Sequence, residues 1–232
     1  MTEHIKLTYP ALQGIRLYAM GDSYFAGNGI ERSQTWVNRL CDKYGMDYVN
    51  YGIGGSTMSD YVTTKKPMVE RILQMEKADA DIILLEGGRN DLNNGVPLGE
   101  IGSRDTKTFR GAINFMLDYL LKTYPKALII LITPWKYTAK RESGYDNITY
   151  ADVMRSISDE RADIRITCLY AADSAFTQVD MDDPDFRAKY SIKPSDPSHL
   201  NADGMSLVLP HMEKFIAEAY MAYLNPPTVH TP

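Results

Sequence analysis

The fold is decided by an apolar run that ends in a glycine turn: residues 15–23 read IRLYAMGDS. Four more short apolar or β-branched runs follow it, at residues 47–53, 81–86, 127–133 and 165–170. They alternate with segments of helical period, at residues 36–44, 61–77, 106–124, 150–161 and 205–224. Parallel strands need a long return path, so this alternation predicts parallel strands joined by helical crossovers. We therefore predict one doubly wound α/β domain over residues 1–232, with a core at about 14–224 and a flexible tail at 225–232.

The composition is that of an ordinary globular protein, with 44% hydrophobic and 24% charged residues. A net charge of −5, with no basic run longer than Lys65-Lys66, argues against nucleic-acid and anionic-membrane partners. Residues 1–9 contain no apolar stretch like the core of a signal peptide, which predicts a cytoplasmic protein. Cys41 and Cys168 lack the spacing of a zinc site, and we expect both to be small buried hydrophobes.

Glycines and small polar residues follow each of the first three predicted strands. These groups are Gly21-Asp22-Ser23, Gly52-Ile53-Gly54-Gly55-Ser56 and Gly87-Gly88-Arg89-Asn90-Asp91. In an open parallel sheet, ligands bind beyond the carboxyl ends of the strands, where these loops converge. The sequence therefore predicts the functional site at this edge of the sheet.

Ser23, His199 and Asp196 have the residue types of a nucleophilic triad. A serine hydroxyl needs a neighbouring base, and that base needs a partner that fixes its tautomer and stabilises the imidazolium. Asp196 and His199 are three residues apart on the loop before the last predicted helix, so one turn can join them. An isolated Asp-x-x-His is more often a solvated turn, and only the strand-end residues give it weight here.

An ester carbonyl under attack also needs hydrogen-bond donors for its oxygen. We expect these from the backbone N–H groups of Ser23 and Gly55 and from the side-chain amide of Asn90. Asp91 is interpreted as a cap of its own turn rather than as a catalyst.

Four blocks of the chain resemble those of the SGNH hydrolases, the GDSL-like esterases and lipases. In order, they are Gly21-Asp22-Ser23, Asn50-x-Gly52-x-x-Gly55, Gly88-x-Asn90-Asp91 and Asp196-x-x-His199. The resemblance implies a three-layer α/β/α fold with a flavodoxin-like five-stranded parallel sheet of order 2-1-3-4-5. It also implies ester hydrolysis through an acyl-enzyme, with Ser23, Gly55, Asn90 and His199 as the naming residues and without metal or organic cofactor.

The substrate is less closely specified than the chemistry. Tyr24 follows the nucleophile where many members carry leucine, and it could narrow the acyl pocket. Trp135 lies on one of two long connections, residues 134–147 and 173–195. Each connection is either a functional lid or binding wall, or else simple surface packing or an oligomer contact. Arg89 has two open roles, a structural one that we favour and recognition of a polar or anionic substrate group.

We favour a carboxylesterase or acetylesterase that acts on small or carbohydrate-linked acyl groups. A lysophospholipase or thioesterase and a non-catalytic carbohydrate-binding relative are the alternatives. The oligomeric state stays open. A nucleotide site is disfavoured because position 57 is Thr where a third glycine would be needed, and the acidic residues at 180–185 lack the pattern of a calcium loop.

Overall fold

The computed structural model describes residues 8–62 and 66–226. Its strands are β1 (Arg16–Met20), β2 (Asp47–Asn50), β3 (Ile82–Glu86), β4 (Leu128–Ile132) and β5 (Ile166–Leu169). All neighbouring strands pair in parallel, in the order β2-β1-β3-β4-β5. This order confirms the predicted fold class. All five strand predictions are confirmed in position, although β2 is shorter than expected.

Helices cover both faces of this sheet and make the three layers. The longer ones are α2 (Trp36–Tyr44), α5 (Phe109–Thr123), α6 (Asn147–Arg161) and α9 (Ala202–Leu224). Side chains of β3 alternate between two cores, with Ile82 and Leu84 in one and Ile83 and Leu85 in the other. The first core is completed by α2 and α9 and the second by α5 and α6. Burial on both faces explains why β3 is a continuous apolar run.

The predicted helix at residues 61–77 is wrong over most of its length. The described chain forms only α3 (Met68–Arg71), which continues as a 3-10 turn over Ile72–Gln74. Pro67 is the N-cap of α3, and a proline disfavours helical backbone in the residue before it. Residues 63–65 of this prediction lie outside the described residues.

Four short helices were not predicted. They are α1 (Ser23–Ala26), α4 (Arg89–Asn93), α7 (Ser174–Thr177) and α8 (Pro184–Tyr190). The first two begin directly after β1 and β3, and they are too short to show a helical period. The other two fill the long connection at residues 173–195, which is therefore partly helical.

The two cysteines differ in burial. Cys41 is fully buried and Cys168 only partly, and burial raises the pKa of each thiol to about 12. Of the predicted tail at 225–232, residues 227–232 lie outside the described residues. Across residues 8–62 and 66–226, no helix is both long and apolar enough to cross a membrane.

Candidate active site

Ser23 is the first residue of α1, immediately beyond the end of β1. Asp22 is the N-cap of α1, and its carboxylate accepts a hydrogen bond from the backbone N–H of Tyr24 at 3.0 Å. Position 21 has no room for a side chain, because a Cβ there would lie 2.5 Å from the Phe25 ring and 2.8 Å from a Glu86 oxygen. The tight turn therefore requires Gly21, and it holds Ser23 at the carboxyl end of the sheet with 8% of its surface exposed.

His199 lies between Ser23 and Asp196. Its Nε2 is 2.9 Å from the Oγ of Ser23, and its Nδ1 is 2.9 Å from an oxygen of Asp196. Ser23 and His199 are 176 positions apart in the sequence, so the fold brings them together. The structure thus joins all three residues that the sequence predicted as a triad.

Asp196 also organises the backbone of its own loop. Its second oxygen accepts hydrogen bonds from the N–H groups of Ser198 and His199, at 2.7 and 3.0 Å. Burial alone would raise the pKa of Asp196, but the hydrogen bonds from the His199 ring and the loop backbone outweigh it and lower that pKa overall. Asp196 is therefore a carboxylate at neutral pH.

The three expected oxyanion donors differ in whether they already bind other groups. Within the described chain, the backbone N–H groups of Ser23 and Gly55 donate no hydrogen bond, so both remain available. Gly55 adopts a positive φ of 76°, a conformation that disfavours any side chain. A methyl group built on the preceding Gly54 would lie 3.8 Å from the Cβ of Ser23, which places this turn against the nucleophile.

Asn90 is differently placed. Its Nδ2 donates to the Oδ2 of Asp22 at 2.8 Å and to the carbonyl oxygen of Ser56 at 3.0 Å. Both hydrogens of the amide are therefore engaged in the free protein. An oxyanion would have to share or displace one of these two bonds.

Behind the nucleophile lies a group of buried carboxyls that sequence reasoning missed. Glu86, at the end of β3, accepts a hydrogen bond from the Asp22 backbone N–H at 3.0 Å, and its other oxygen has no partner in the described structure. Burial raises the pKa of Glu86 well above its usual value, and the negative charge of Asp22 raises it further. In the sequence, the signal for this residue is a single acidic residue at the end of an apolar run, IILLE at residues 82–86.

Asp91 does not cap its own turn, so that interpretation is wrong. Its two oxygens accept hydrogen bonds from the backbone N–H groups of Met58 and Ser59, at 2.9 and 3.1 Å. Burial raises the pKa of Asp91 to about 6, although these two bonds act in the opposite direction. The residue therefore joins the loop after β2 to the start of α4.

Arg89 is buried, with 4% of its surface exposed. Its Nε donates to the Oγ of Ser198 at 3.0 Å and one Nη donates to the side-chain oxygen of Asn147 at 2.8 Å. The guanidinium also lies 5.1 Å from the centre of the Tyr137 ring. These contacts link the triad loop to the start of α6 and to the connection at residues 134–147.

Tyr24 and Trp135, both expected to contact substrate, are buried at 3% and 1% exposure. Their rings stack with centroids 5.3 Å apart, and Tyr24 meets the His199 ring edge-on at 6.2 Å. Trp135 thus lies behind Tyr24, and Tyr24 forms the wall beside His199. Neither ring presents an open face for a substrate.

The two long connections contact each other beside this wall. Lys136 forms an ion pair with Asp180 at 2.6 Å, and the Thr138 backbone N–H donates to Asp182 at 2.9 Å. Two of the acidic residues in the run at 180–185 thus bind groups of the facing connection.

Comparison with known proteins identifies one matching family. A sequence model described as the GDSL-like Lipase/Acylhydrolase family matches residues 19–207. No curated protein matches the chain.

Solved structures similar to this chain include three whose fold covers most of it. One is a Lactobacillus plantarum protein of 24% identity, with a TM-score of 0.72 over 89% of this chain and 98% of that chain. Another is the psychrotrophic esterase EstA from Pseudoalteromonas sp., at 17% identity and a TM-score of 0.60 over 88% and 97%. A third is a carbohydrate esterase family 2 enzyme with a carbohydrate-binding domain from Corynascus thermopiles, at 16% identity and a TM-score of 0.59 over 90% and 66%. At such identities the likeness establishes the fold alone.

Proposed function

The chain belongs to the GDSL-like Lipase/Acylhydrolase family, and from that premise we propose that it is a serine ester hydrolase in which Ser23 becomes acylated. One observation carries the proposal: a hydrogen-bonded line runs from Ser23 through His199 to Asp196, with both contacts at 2.9 Å. A hydroxyl, an imidazole and a carboxylate in this line supply the nucleophile, its base and the group that orients the base.

The residues divide the reaction into two steps. As the Oγ of Ser23 bonds to the ester carbon, Nε2 of His199 takes its proton, and the charged imidazolium is stabilised by Asp196. Collapse of the tetrahedral intermediate breaks the bond to the alcohol, which leaves with that proton. Water then attacks the acyl-enzyme with His199 again as base, and the acid is released as Ser23 regains its proton.

The oxyanion of each intermediate is proposed to bind the N–H groups of Ser23 and Gly55. Asn90 joins them by directing one amide hydrogen away from Asp22 or Ser56. The two backbone donors are fixed before reaction, and such preorganisation gives an oxyanion site its catalytic value.

For the substrate we propose short acyl groups on simple or carbohydrate alcohols. The Tyr24 ring beside His199 limits the space next to the nucleophile, which favours small acyl groups. Similarity to proteins named as an esterase and as a carbohydrate esterase also supports this class. Longer acyl chains define the lysophospholipase or thioesterase alternative.

The test is hydrolysis of p-nitrophenyl acetate by the wild type and by Ser23→Ala. We expect the substitution to lower kcat by more than about 10³-fold, because it removes the nucleophile and little packing. Circular dichroism should show that the variant keeps its fold. A variant that retains most of its activity, or a wild type without activity on any ester, would contradict the proposal. A p-nitrophenyl ester series from acetate to palmitate, with acetylated sugars, then separates the substrate classes.

A further inference from the structure

A cavity of about 370 Å³ opens beside the turn that carries Gly55, and its charged lining is entirely cationic. Arg32, Lys66 and Arg71 contribute these charges, and the rest of its lining is neutral. The whole chain carries a net charge of −5, so such a concentration of positive charge is not a general property of its surface. Neither Ser23 nor His199 lines this cavity.

The cavity nevertheless reaches the edge of the active site. Ile53 lines it and is 38% exposed, and the next residue, Gly54, packs against Ser23. Two residues of extended chain span at most about 7 Å, so the cavity rim lies within the length of a small substrate from the nucleophile.

The two arginines of the cavity have neutral partners. Arg71 is 6% exposed and donates to the backbone oxygens of Gly21, Tyr51 and Lys66 and to the hydroxyl of Ser56. Arg32 donates to the backbone oxygens of Asn50 and Gly52. Over the described residues, none of the three cations forms an ion pair with a carboxylate.

A buried guanidinium without an anionic partner is costly, because the charge has lost its hydration. Burial lowers the pKa of Arg71 to about 10, and the negative charge of buried Asp22 opposes this fall. Arg71 therefore remains charged at neutral pH, on the wall of a cavity whose rim carries two more cations.

We propose that this cavity is a subsite for an anionic group of the ester substrate, a carboxylate, sulfate or phosphate held by Arg32, Lys66 and Arg71. The proposal rests on ester hydrolysis at Ser23 and specifies its substrate class. An ester whose anionic group lies about 7 Å from its reacting carbonyl carbon would span the distance from Ser23 to the cavity rim. Opposite charges favour such an anion both on encounter and in the bound state.

Two substrate pairs test the subsite and distinguish the position of the anion. For the acyl side, mono-4-nitrophenyl adipate is compared with its methyl ester. For the alcohol side, 4-acetoxyphenylacetate is compared with its methyl ester. The readout is the ratio of kcat/KM for the anionic ester to kcat/KM for the neutral one, at low ionic strength.

Lys66→Glu is the informative variant, since the Lys66 side chain makes no hydrogen bond in the described structure while both arginines support the turn backbone. Lys126→Glu is the control, because Lys126 is exposed next to the start of β4, at the opposite end of the sheet, and changes the net charge equally. Each unit of charge at about 5 Å in water changes a rate constant about fourfold. We expect Lys66→Glu to lower the ratio about tenfold for one pair and Lys126→Glu to change it less than twofold.

Added salt should reduce the wild-type preference for the anionic ester, because screening weakens exposed charges. Equal ratios in the wild type, Lys66→Glu and Lys126→Glu for both pairs would overturn the subsite while leaving ester hydrolysis intact.

A binding measurement separates the two proposals if no ester is turned over. Isothermal titration calorimetry with adipate should show binding to the wild type and to Lys126→Glu, and at least tenfold weaker binding to Lys66→Glu. That result with no hydrolysis would retain the anion subsite and contradict the esterase. Adipate binding that is equal in the wild type and Lys66→Glu, or absent from both, would overturn the subsite.

Discussion

Two carboxyl groups on opposite sides of Ser23, Asp196 in the triad loop and Glu86 behind the nucleophile, have pKa values shifted in opposite directions. Asp196 accepts hydrogen bonds from two backbone N–H groups and the His199 ring, which hold it ionised. At Glu86, burial and then the negative charge of Asp22 raise the pKa and favour the protonated form, and the one backbone N–H that it accepts does not offset them. Burial raises the pKa of both carboxyls, and only at the less buried Asp196 do the hydrogen-bond donors outweigh it.

The ionised form of Asp196 and the protonated form of Glu86 each fit their surroundings. In the proposed reaction an imidazolium forms on His199, and a negative charge on the triad loop would stabilise it. Glu86 lies next to the buried carboxylate of Asp22, so a negative charge on Glu86 would be repelled by Asp22. One side therefore supplies electrostatic stabilisation, while the other supplies support for the backbone turn.

Asp196→Asn removes the negative charge next to His199. Of the substitutions in this comparison, it has the largest expected effect on kcat. Asparagine keeps the shape of the side chain, but it removes the charge and places an amide where Nδ1–H of His199 needs an acceptor. We expect kcat on p-nitrophenyl acetate to fall about 10³- to 10⁴-fold.

Asp173→Asn is the matched control, because Asp173 accepts the same pattern of backbone N–H groups, from Ala175 and Phe176, away from the triad. Its kcat should stay within about twofold of wild type. An equal small loss in both variants would show that Asp196 merely caps its loop.

Asn90 holds Asp22 and Ser56, the residues that flank Ser23 and Gly55 in the chain. If the Asn90 amide moves to the oxyanion, Asn90→Ala should lower kcat about 10²- to 10³-fold with a smaller effect on KM. Steady-state kinetics and melting temperatures are compared with those of Asn114→Ala, a 3% exposed asparagine bonded to the Ser103 carbonyl. A lower melting temperature with unchanged kcat would restrict Asn90 to holding Asp22 and Ser56.

The sequence predicted the triad because each of its members follows or precedes a recognisable element. It predicted the sheet because five apolar runs are separated by segments long enough for crossovers. Glu86 and the partners of Arg89 were not predictable in the same way. Their contacts join positions 58 to 109 residues apart, and no local period or turn signal specifies such pairs.

Local chemistry also set limits on the helix predictions. The apolar spacing in residues 61–77 is real, since Met68, Val69 and Ile72 are buried. Pro67 nevertheless prevents the helix from extending toward its start, and Arg71 ties the segment to the ends of β1 and β2. Tertiary bonds thus outweighed the helical period.

Arg89 holds the triad loop through its hydrogen bond to Ser198. We expect its replacement to have an intermediate effect on activity. Arg89→Met should lower kcat/KM for neutral and charged esters alike by about tenfold, since a hydrogen bond from a charged donor to the triad loop is lost. Arg110→Met is the control: Arg110 is 8% exposed and pairs with Glu160, away from the triad.

Both arginine variants should lower the melting temperature, but only Arg89→Met should reduce kcat/KM, and Arg89→Lys should recover part of it. Loss confined to charged esters would instead give Arg89 the substrate-recognition role.

Glu86 gives the smallest expected effect, on stability rather than turnover. Its raised pKa means that the folded state holds a proton that the unfolded state releases above about pH 4.3. The stabilisation is therefore complete below that pH and is lost as the pH rises toward the folded-state pKa. Glutamine cannot lose a proton, so the melting temperature of Glu86→Gln relative to wild type should rise between pH 5 and pH 8.

The expected gain is about 3–5 °C per pH unit over the titrating range. Exposed Glu218→Gln is the control and should show no such pH-dependent difference. A constant difference between Glu86→Gln and wild type across this range would mean that Glu86 is ionised in the folded protein.

The central claim, that Ser23 is the activated nucleophile, is tested most directly by stoichiometric labelling with a fluorophosphonate. The adduct is followed by intact-protein mass and located by peptide mapping. We expect one label per chain, on Ser23, with labelling abolished in Ser23→Ala and slowed more than about 10²-fold in His199→Ala. No adduct on the wild type, or an adduct that persists in Ser23→Ala, would contradict it.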